Sequence, residues 1–417
     1  MTDLLIHGVS ELATPIGTTP QRHSEQGRIH KRAHVSVLCR DGRIAFVGAD
    51  DELTVEFGTL PETERLDAGG GTLVPGFVDP HTHLPWAGDR AGEFAQRLAG
   101  KTYMEIAAEG GGILSTVRAT REATEDDLVA LVKSRLERML AWGTTTAEAK
   151  SGYGLDLETE LKQLRAIRRA GDEHAVDLVP TLLAAHDVPL EYRGDRERYL
   201  DLVCSEIVPR VAEQGLARFS DVFCEHGVFT AEESARVLKV AIQHGLKARL
   251  HADEFVDSGG AELAAELGAL SADHLVAVSR RGMESLAAAG VIAVLLPGTS
   301  FFLMKHSYAP ARQLIEHGVP VALATDCNPG SSHTESLPMI FVLAVYELGL
   351  SIEEALTAVT LNAACSLGLG QEIGSIEVGK WADLVLLDAP QLSYLAYHFG
   401  INPVATVVKR GRVVHSA

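Results

Sequence analysis

The middle of the chain alternates between two hydrophobic patterns. Short apolar runs fall at residues 76–79, 144–149, 178–185, 221–224, 248–251, 271–275, 291–296 and 319–325. Runs of this length and compactness read as strands buried on both faces. Between most of them lie stretches with apolar residues three and four apart, the spacing of one helix face. One such stretch opens at Thr230 with Glu233 three residues on, a capping-box pattern. Eight β-type runs alternating with helices predict an α/β fold, a (β/α)₈ TIM-like barrel over residues 76–372. A doubly wound open sheet is the structural rival.

The two ends of the chain read differently from the middle. Leu4-Leu5-Ile6, residues 34–38 and residues 43–47 are short β-type runs, and Asp41-Gly42 has the composition of a hairpin turn. Near the other end, residues 382–387 and 405–408 look the same, with Arg410-Gly411-Arg412 as a turn before Val413-Val414. Paired across the barrel, residues 1–75 and 373–417 are expected to form one small β-sandwich domain. No internal repeat or low-complexity tract interrupts this plan.

Composition narrows the class. Of 417 residues, 46% are hydrophobic, enough for a large core. The formal charge is 37 − 56 = −19 with His neutral, which argues against a nucleic-acid partner. Cys39, Cys204, Cys224, Cys327 and Cys365 contain no C-x-x-C pair and read as reduced thiols. The start of the chain lacks a secretory pattern. The longest apolar runs, such as residues 339–346, fall far short of the ~20 residues that span a bilayer. The expected setting is the cytosol, without a membrane partner.

Two apparent nucleotide motifs fail. Gly100-Lys101-Thr102 resembles the tail of a phosphate loop, but Ala95 stands where the upstream glycine is required. Gly152-Tyr153-Gly154 begins like a dinucleotide fingerprint, but Leu157 replaces the next glycine.

The sharpest chemical signal is Pro75-Gly76-Phe77-Val78-Asp79-Pro80-His81-Thr82-His83, where the first barrel run ends directly in His-x-His. Residues two apart on extended backbone point the same way, so both imidazoles can meet one metal ion at the carboxyl end of the strand. Alone, the motif also reads as two chance surface histidines. Further donors end other runs: His251 the fifth, His274 the sixth and Asp326 the eighth. Singly, Asp326 could cap a helix and His274 could be a core histidine bonded to backbone. Together, His and Asp at four strand ends make a nitrogen and oxygen site suited to zinc or iron. Glu254, three residues after His251, is placed to move a proton near that ion. The plain alternative is an exposed loop glutamate.

The metal set His81, His83, His251 and Asp326 resembles the signature of the amidohydrolase superfamily. Its binuclear members often bridge two metals with a carboxylated lysine on strand four. The fourth run here ends near Phe223-Cys224-Glu225 without a lysine, and Lys150, after the second run, is expected to point to the wrong part of the ring. One ion per chain, Zn²⁺ or Fe³⁺, is therefore expected.

Beyond the ligands, the chain resembles the imidazolonepropionase family. The matching stretches are Gly88-Asp89-Arg90, Gly100-Lys101-Thr102-Tyr103, Gly110-Gly111-Gly112-Ile113, Lys150-Ser151-Gly152-Tyr153-Gly154, Ala184-Ala185-His186, Leu295-Leu296-Pro297-Gly298-Thr299, Asn328-Pro329-Gly330-Ser331-Ser332 and residues 374–380. The resemblance runs in order along about the whole chain. It implies hydrolysis of 4-imidazolone-5-propanoate to N-formimidoyl-L-glutamate by a metal-activated water, in a homodimer. It implies that Glu254, His274 and Asp326 are catalytic. Arg90, Tyr153, His186 and Glu254 would hold substrate, and Asn328, Gly330 and Ser331 would contact substrate or product. A planar guanidinium suits a propionate carboxylate. Without the resemblance, Arg90 reads as a surface ion pair and Tyr153 as a loop aromatic.

The nearest rival is a deaminase of the same superfamily, which would share the metal set but need no carboxylate clamp; ammonia release from a purine or pyrimidine would decide for it. A catalytically dead scaffold or a plain ligand-binding protein would not be expected to retain all four ligands.

Overall fold

The computed structural model describes residues 3–101, 105 and 110–417; Thr102 and Tyr103 of the stretch at 100–103 lie outside the described residues. Before the barrel come β1 (Leu4–Thr14), β2 (His30–Arg40), β3 (Arg43–Gly48), β4 (Glu64–Asp67) and β5 (Thr72–Pro75). The eight runs of the middle are β6 (Phe77–Asp79), β7 (Thr144–Lys150), β8 (Asp177–Ala185), β9 (Phe219–Cys224), β10 (Lys247–Ala252), β11 (Ser271–His274), β12 (Ile292–Leu295) and β13 (Val321–Leu323). Each pairs with the next in parallel, in sequence order. At the carboxyl ends the ring is joined between first and last strands. The Asp326 N–H donates to the His81 carbonyl and the His83 N–H to the Cys327 carbonyl, both at 3.0 Å. An open doubly wound sheet would leave these two strands apart.

Helices cover the outside, and their starts follow local chemistry. Helix Ala231–Gln243 begins with the capping box expected at Thr230: its hydroxyl accepts from the Glu233 N–H at 3.2 Å, and Glu233 accepts from the Thr230 N–H at 2.8 Å. Thr124 and Asp127 build the same device at the start of helix Glu125–Ala141. No helix among the described residues is long and apolar enough to cross a membrane.

The end segments, completed by β14 (Leu384–Leu387), β15 (Val404–Lys409) and β16 (Arg412–Ser416), form a separate mixed sheet in the order β16-β15-β14-β5-β1-β2-β3, with β4 also on β1. Two of its hairpins turn where expected. Asp41 and Gly42 have φ of 50° and 80°, Arg410 and Gly411 of 46° and 71°, so each pair has the positive φ of a tight hairpin turn. The two segments are stitched together by β5, parallel to β1 and antiparallel to β14. Neither β4 nor β5 is foreseen from sequence. Leu4, Ile6, Val9, Val37, Leu384 and Val408 are the buried apolar face of this sheet.

The segment between β1 and β2 bonds to the start of β13, the last barrel strand. The Gln26 amide donates to the Val321 carbonyl and accepts from the Val321 N–H, each at 3.0 Å, standing in for a neighbouring strand. The carboxyl ends of the strands are left to carry chemistry.

Candidate active site

His81 and His83 follow β6, His251 lies within β10, His274 ends β11, and Asp326 stands just beyond β13. All five are buried, with 0–3% of their surface exposed. Alternation along the extended chain turns His81 and His83 the same way, and ring closure brings the other strands to them. The His81 ring centroid lies 4.5 Å from that of His251, 5.3 Å from His83 and 5.4 Å from His274. Asp326 Oδ1 is 3.5 Å from His81 Nε2 and 3.3 Å from His83 Nε2. Non-glycine residues in the left-handed region mark these strand ends: Asp253 at φ 50°, His274 at 74° and Asp326 at 53°. Such backbone costs about 1–3 kcal/mol per residue and gathers at functional sites.

The donors fit a metal ion. Ligand atoms of His81, His83 and His251 lie within 4.8 Å of one another, as do those of His81, His274 and Asp326. His81 Nε2 is buried without a hydrogen-bond partner. Its other nitrogen, Nδ1, lies 2.6 Å from Asp273 Oδ2, which sets the proton on Nδ1 and leaves the Nε2 lone pair facing the cluster. Burial, followed by the positive charge of Lys150, holds His81 well below its ordinary pKa, and burial does the same to His83. Neutral imidazoles are what a metal requires.

Glu254 is nearly buried, with Oε2 3.7 Å from His274 Nδ1. Burial, then the charge of Asp326, pushes its carboxyl up to about 8, while burial takes His274 down to about 3. The His186 ring stacks on His83 at 5.2 Å, and Tyr153 packs 5.9 Å from His83 and 5.4 Å from His186. The structure thus gathers eight of the residues singled out from sequence.

The remaining four sit at the rim. Arg90 precedes helix Ala91–Leu98, and its Nε donates to Glu93 at 2.8 Å. Its guanidinium lies against Gly330 so closely that a Cβ there would collide with Nη1. Asn328 Oδ1 accepts from the N–H groups of Gly330 and Ser331 at 2.8 Å each, and its amide donates to the Asp326 carbonyl at 2.7 Å. Asn328 and Ser331 therefore shape the turn that follows Asp326.

Lys150 ends β7, the second barrel strand, where it shares an inward face with Glu148, and its Nζ reaches Asp221 on β9 at 2.8 Å. Asp221, Asp273, Arg249 and Thr299 carry no role expected from the sequence. Asp221 lies 3.0 Å from His251 Nδ1, Arg249 donates to Asp273 at 3.1 Å, and the Thr299 hydroxyl donates to Asp326 at 2.6 Å. The signal that marks most of them is an ionisable residue inside an otherwise apolar barrel run.

A closed parallel barrel with buried His and Asp at these strand ends defines the amidohydrolase class, and the Amidohydrolase family model matches residues 72–414. The chain belongs to this metal-dependent family and, within it, to the imidazolonepropionases. It is 53% identical to imidazolonepropionase of Symbiobacterium thermophilum over 417 residues, 99% of this chain and 97% of the relative. It is 50% identical to imidazolonepropionase of a Geobacillus species over 417 residues, 99% of this chain and 98% of the relative. Solved structures share the fold at far lower identity. E. coli guanine deaminase matches with a TM-score of 0.74 at 16% identity over 100% of both chains. The 5-methylcytosine deaminase of Klebsiella pneumoniae gives 0.73 at 18%, covering 98% of this chain and 97% of that one.

Proposed function

We propose that this hydrolase opens 4-imidazolone-5-propanoate to N-formimidoyl-L-glutamate, the third step of histidine degradation. The observation that carries the reading is the 53% identity to an imidazolonepropionase along essentially the full length of both chains. His81, His83, His251 and Asp326 would hold one metal ion per chain, zinc or iron. Bound there, the ion supplies Lewis-acid activation of water and of the carbonyl.

The residues around it divide the remaining work. Arg90 takes the propionate carboxylate, and Tyr153 and His186 flank the ring. Glu254 accepts a proton from the attacking water on a carboxylate oxygen. The water oxygen bonds to the ring carbonyl carbon, and His274 polarises the carbonyl oxygen. The carbon–nitrogen bond then breaks, and Glu254 passes its proton to the departing nitrogen. Asn328, Gly330 and Ser331 border the opened product. Asp326 orients the donors and is the second carboxylate at the reacting centre.

The net charge of −19 supports the absence of a nucleic-acid partner, and kinship to metabolic enzymes supports a small-molecule substrate and a cytosolic setting.

The test is an ultraviolet assay of imidazolone disappearance with metal-loaded enzyme, run beside guanine, cytosine and adenosine. Loss of the imidazolone without ammonia release from the bases is expected. Turnover of a base and none of the imidazolone would overturn the assignment. Elemental analysis of purified protein is expected to give about one zinc or iron per chain, since the ligand set closes around a single ion. His81→Ala and His83→Ala are each expected to lower occupancy and turnover together. Two tightly held metals per active chain would sink the mononuclear reading.

A further inference from the structure

Beneath the donor cluster, one buried lysine touches carboxylates that lead to every histidine donor. Lys150 Nζ lies 2.8 Å from Asp221 Oδ2, 3.0 Å from Glu148 Oε1 and 4.0 Å from Asp273 Oδ2, with all four side chains fully buried. Each carboxylate continues to a different part of the site. Asp221 Oδ2 is 3.0 Å from His251 Nδ1, and its Oδ1 accepts from the His251 N–H at 3.0 Å. Asp273 Oδ2 is 2.6 Å from His81 Nδ1. Glu148 Oε2 accepts at 3.0 Å from the N–H of Thr82, the residue between His81 and His83. Arg249 braces the frame from the other side, donating to Asp273 at 3.1 Å and to the Pro80 carbonyl at 2.7 Å.

We propose that Lys150 is a positioning residue for the metal site, its ammonium binding Asp221, Glu148 and Asp273 into one frame that aims the imidazoles of His251 and His81 and the turn carrying His83. Three carboxylates this close in a dry interior repel one another unless a cation sits among them. A carboxylate on the far nitrogen of a metal-binding imidazole sets its tautomer and direction, so a displaced carboxylate misdirects the donor. Lys150 makes the short contacts to Asp221 and Glu148, whereas Arg249 is the nearer cation to Asp273. The His251 arm therefore depends most on the lysine.

The sign of the effect separates positioning from simple charge. Lys150 carries a positive charge close to a cation site, so Coulomb repulsion alone predicts that removing it tightens metal binding. A positioning role predicts the opposite. Zinc affinity is measured by competition with a chromophoric chelator for the wild type, Lys150→Met, the double variant Lys150→Met/Glu148→Gln, and His83→Ala. Circular dichroism melts of the metal-free proteins follow the fold. The double variant removes one charge of each sign, and its glutamine oxygen can still accept from Thr82.

Both lysine variants are expected to bind zinc about 10–100-fold more weakly, the scale for groups that orient metal-binding histidines. Unchanged or tighter binding by Lys150→Met overturns the proposal. So does wild-type affinity in the double variant, because the lysine would then only offset Glu148. Failure of both variants to fold also overturns it, making Lys150 a determinant of the fold rather than of the site. The inference rests on reading His81, His83, His251 and Asp326 as the donors. If His83→Ala binds zinc as the wild type does, that reading fails, whatever the lysine variants show.

Discussion

Glu254→Gln is expected to lower kcat by about 10²–10⁴-fold, the usual scale for a general acid–base group, while the protein keeps its metal. Glu254 leaves β10 three residues after His251 and is almost fully shielded from water. Its Oε2 lies 3.7 Å from His274 Nδ1. The clusters of possible ligand atoms around His81 do not include Glu254, so exchanging its oxygen for an amide removes a proton carrier rather than a donor. Glutamine has the same shape but cannot accept the water proton and return it to the departing nitrogen. Elemental analysis and steady-state kinetics on the same preparation check both halves of the expectation. Near-normal kcat in the variant would move the proton to another group, with Asp326 the next candidate. Loss of metal together with activity would instead make Glu254 part of the metal site.

Arg90→Ala is expected to lower kcat/KM by roughly 30- to 1000-fold, the equivalent of about 2–4 kcal/mol for a bidentate ion pair shielded from water. The propionate carboxylate is not altered by the reaction. Binding it supports ground state and transition state alike, so the loss should appear mainly in KM. Glu93 at 2.8 Å and the bare backbone of Gly330 hold the guanidinium at the rim. Arg90→Lys keeps the charge without the fork and should recover only part of the loss. An imidazolone lacking the propionate supplies the matching control. Wild type should handle it poorly, and Arg90→Ala should discriminate little between the two substrates. Equal slowing of both substrates by Arg90→Ala would show that the arginine does not read the carboxylate.

Local pattern was enough for the elements and for the direction of side chains along each one. All eight barrel runs are legible because a strand buried on both faces must be apolar over a few consecutive residues, whatever it later pairs with. The turns at Asp41-Gly42 and Arg410-Gly411 are legible because glycine takes positive φ without steric cost, at Gly42 and at Gly411. His81 and His83 share a face for an equally local reason, the two-residue period of extended backbone.

What lies across the barrel is not local. β5, only Thr72–Pro75, becomes a strand because β14 arrives from the far end of the chain to pair with it. Lys150 looks misplaced in sequence, at the end of the second run. Once the ring closes, its side chain crosses the interior to Asp221 on the fourth strand. Asp221 and Asp273 look like stray charges inside apolar runs until β10, beside β9, brings His251 to one and β6, across the barrel from β11, brings His81 to the other. Sequence by itself determined which residues face inward. Only the closed barrel decided which of them meet, because strand stagger and ring closure set distances between residues that no local period relates.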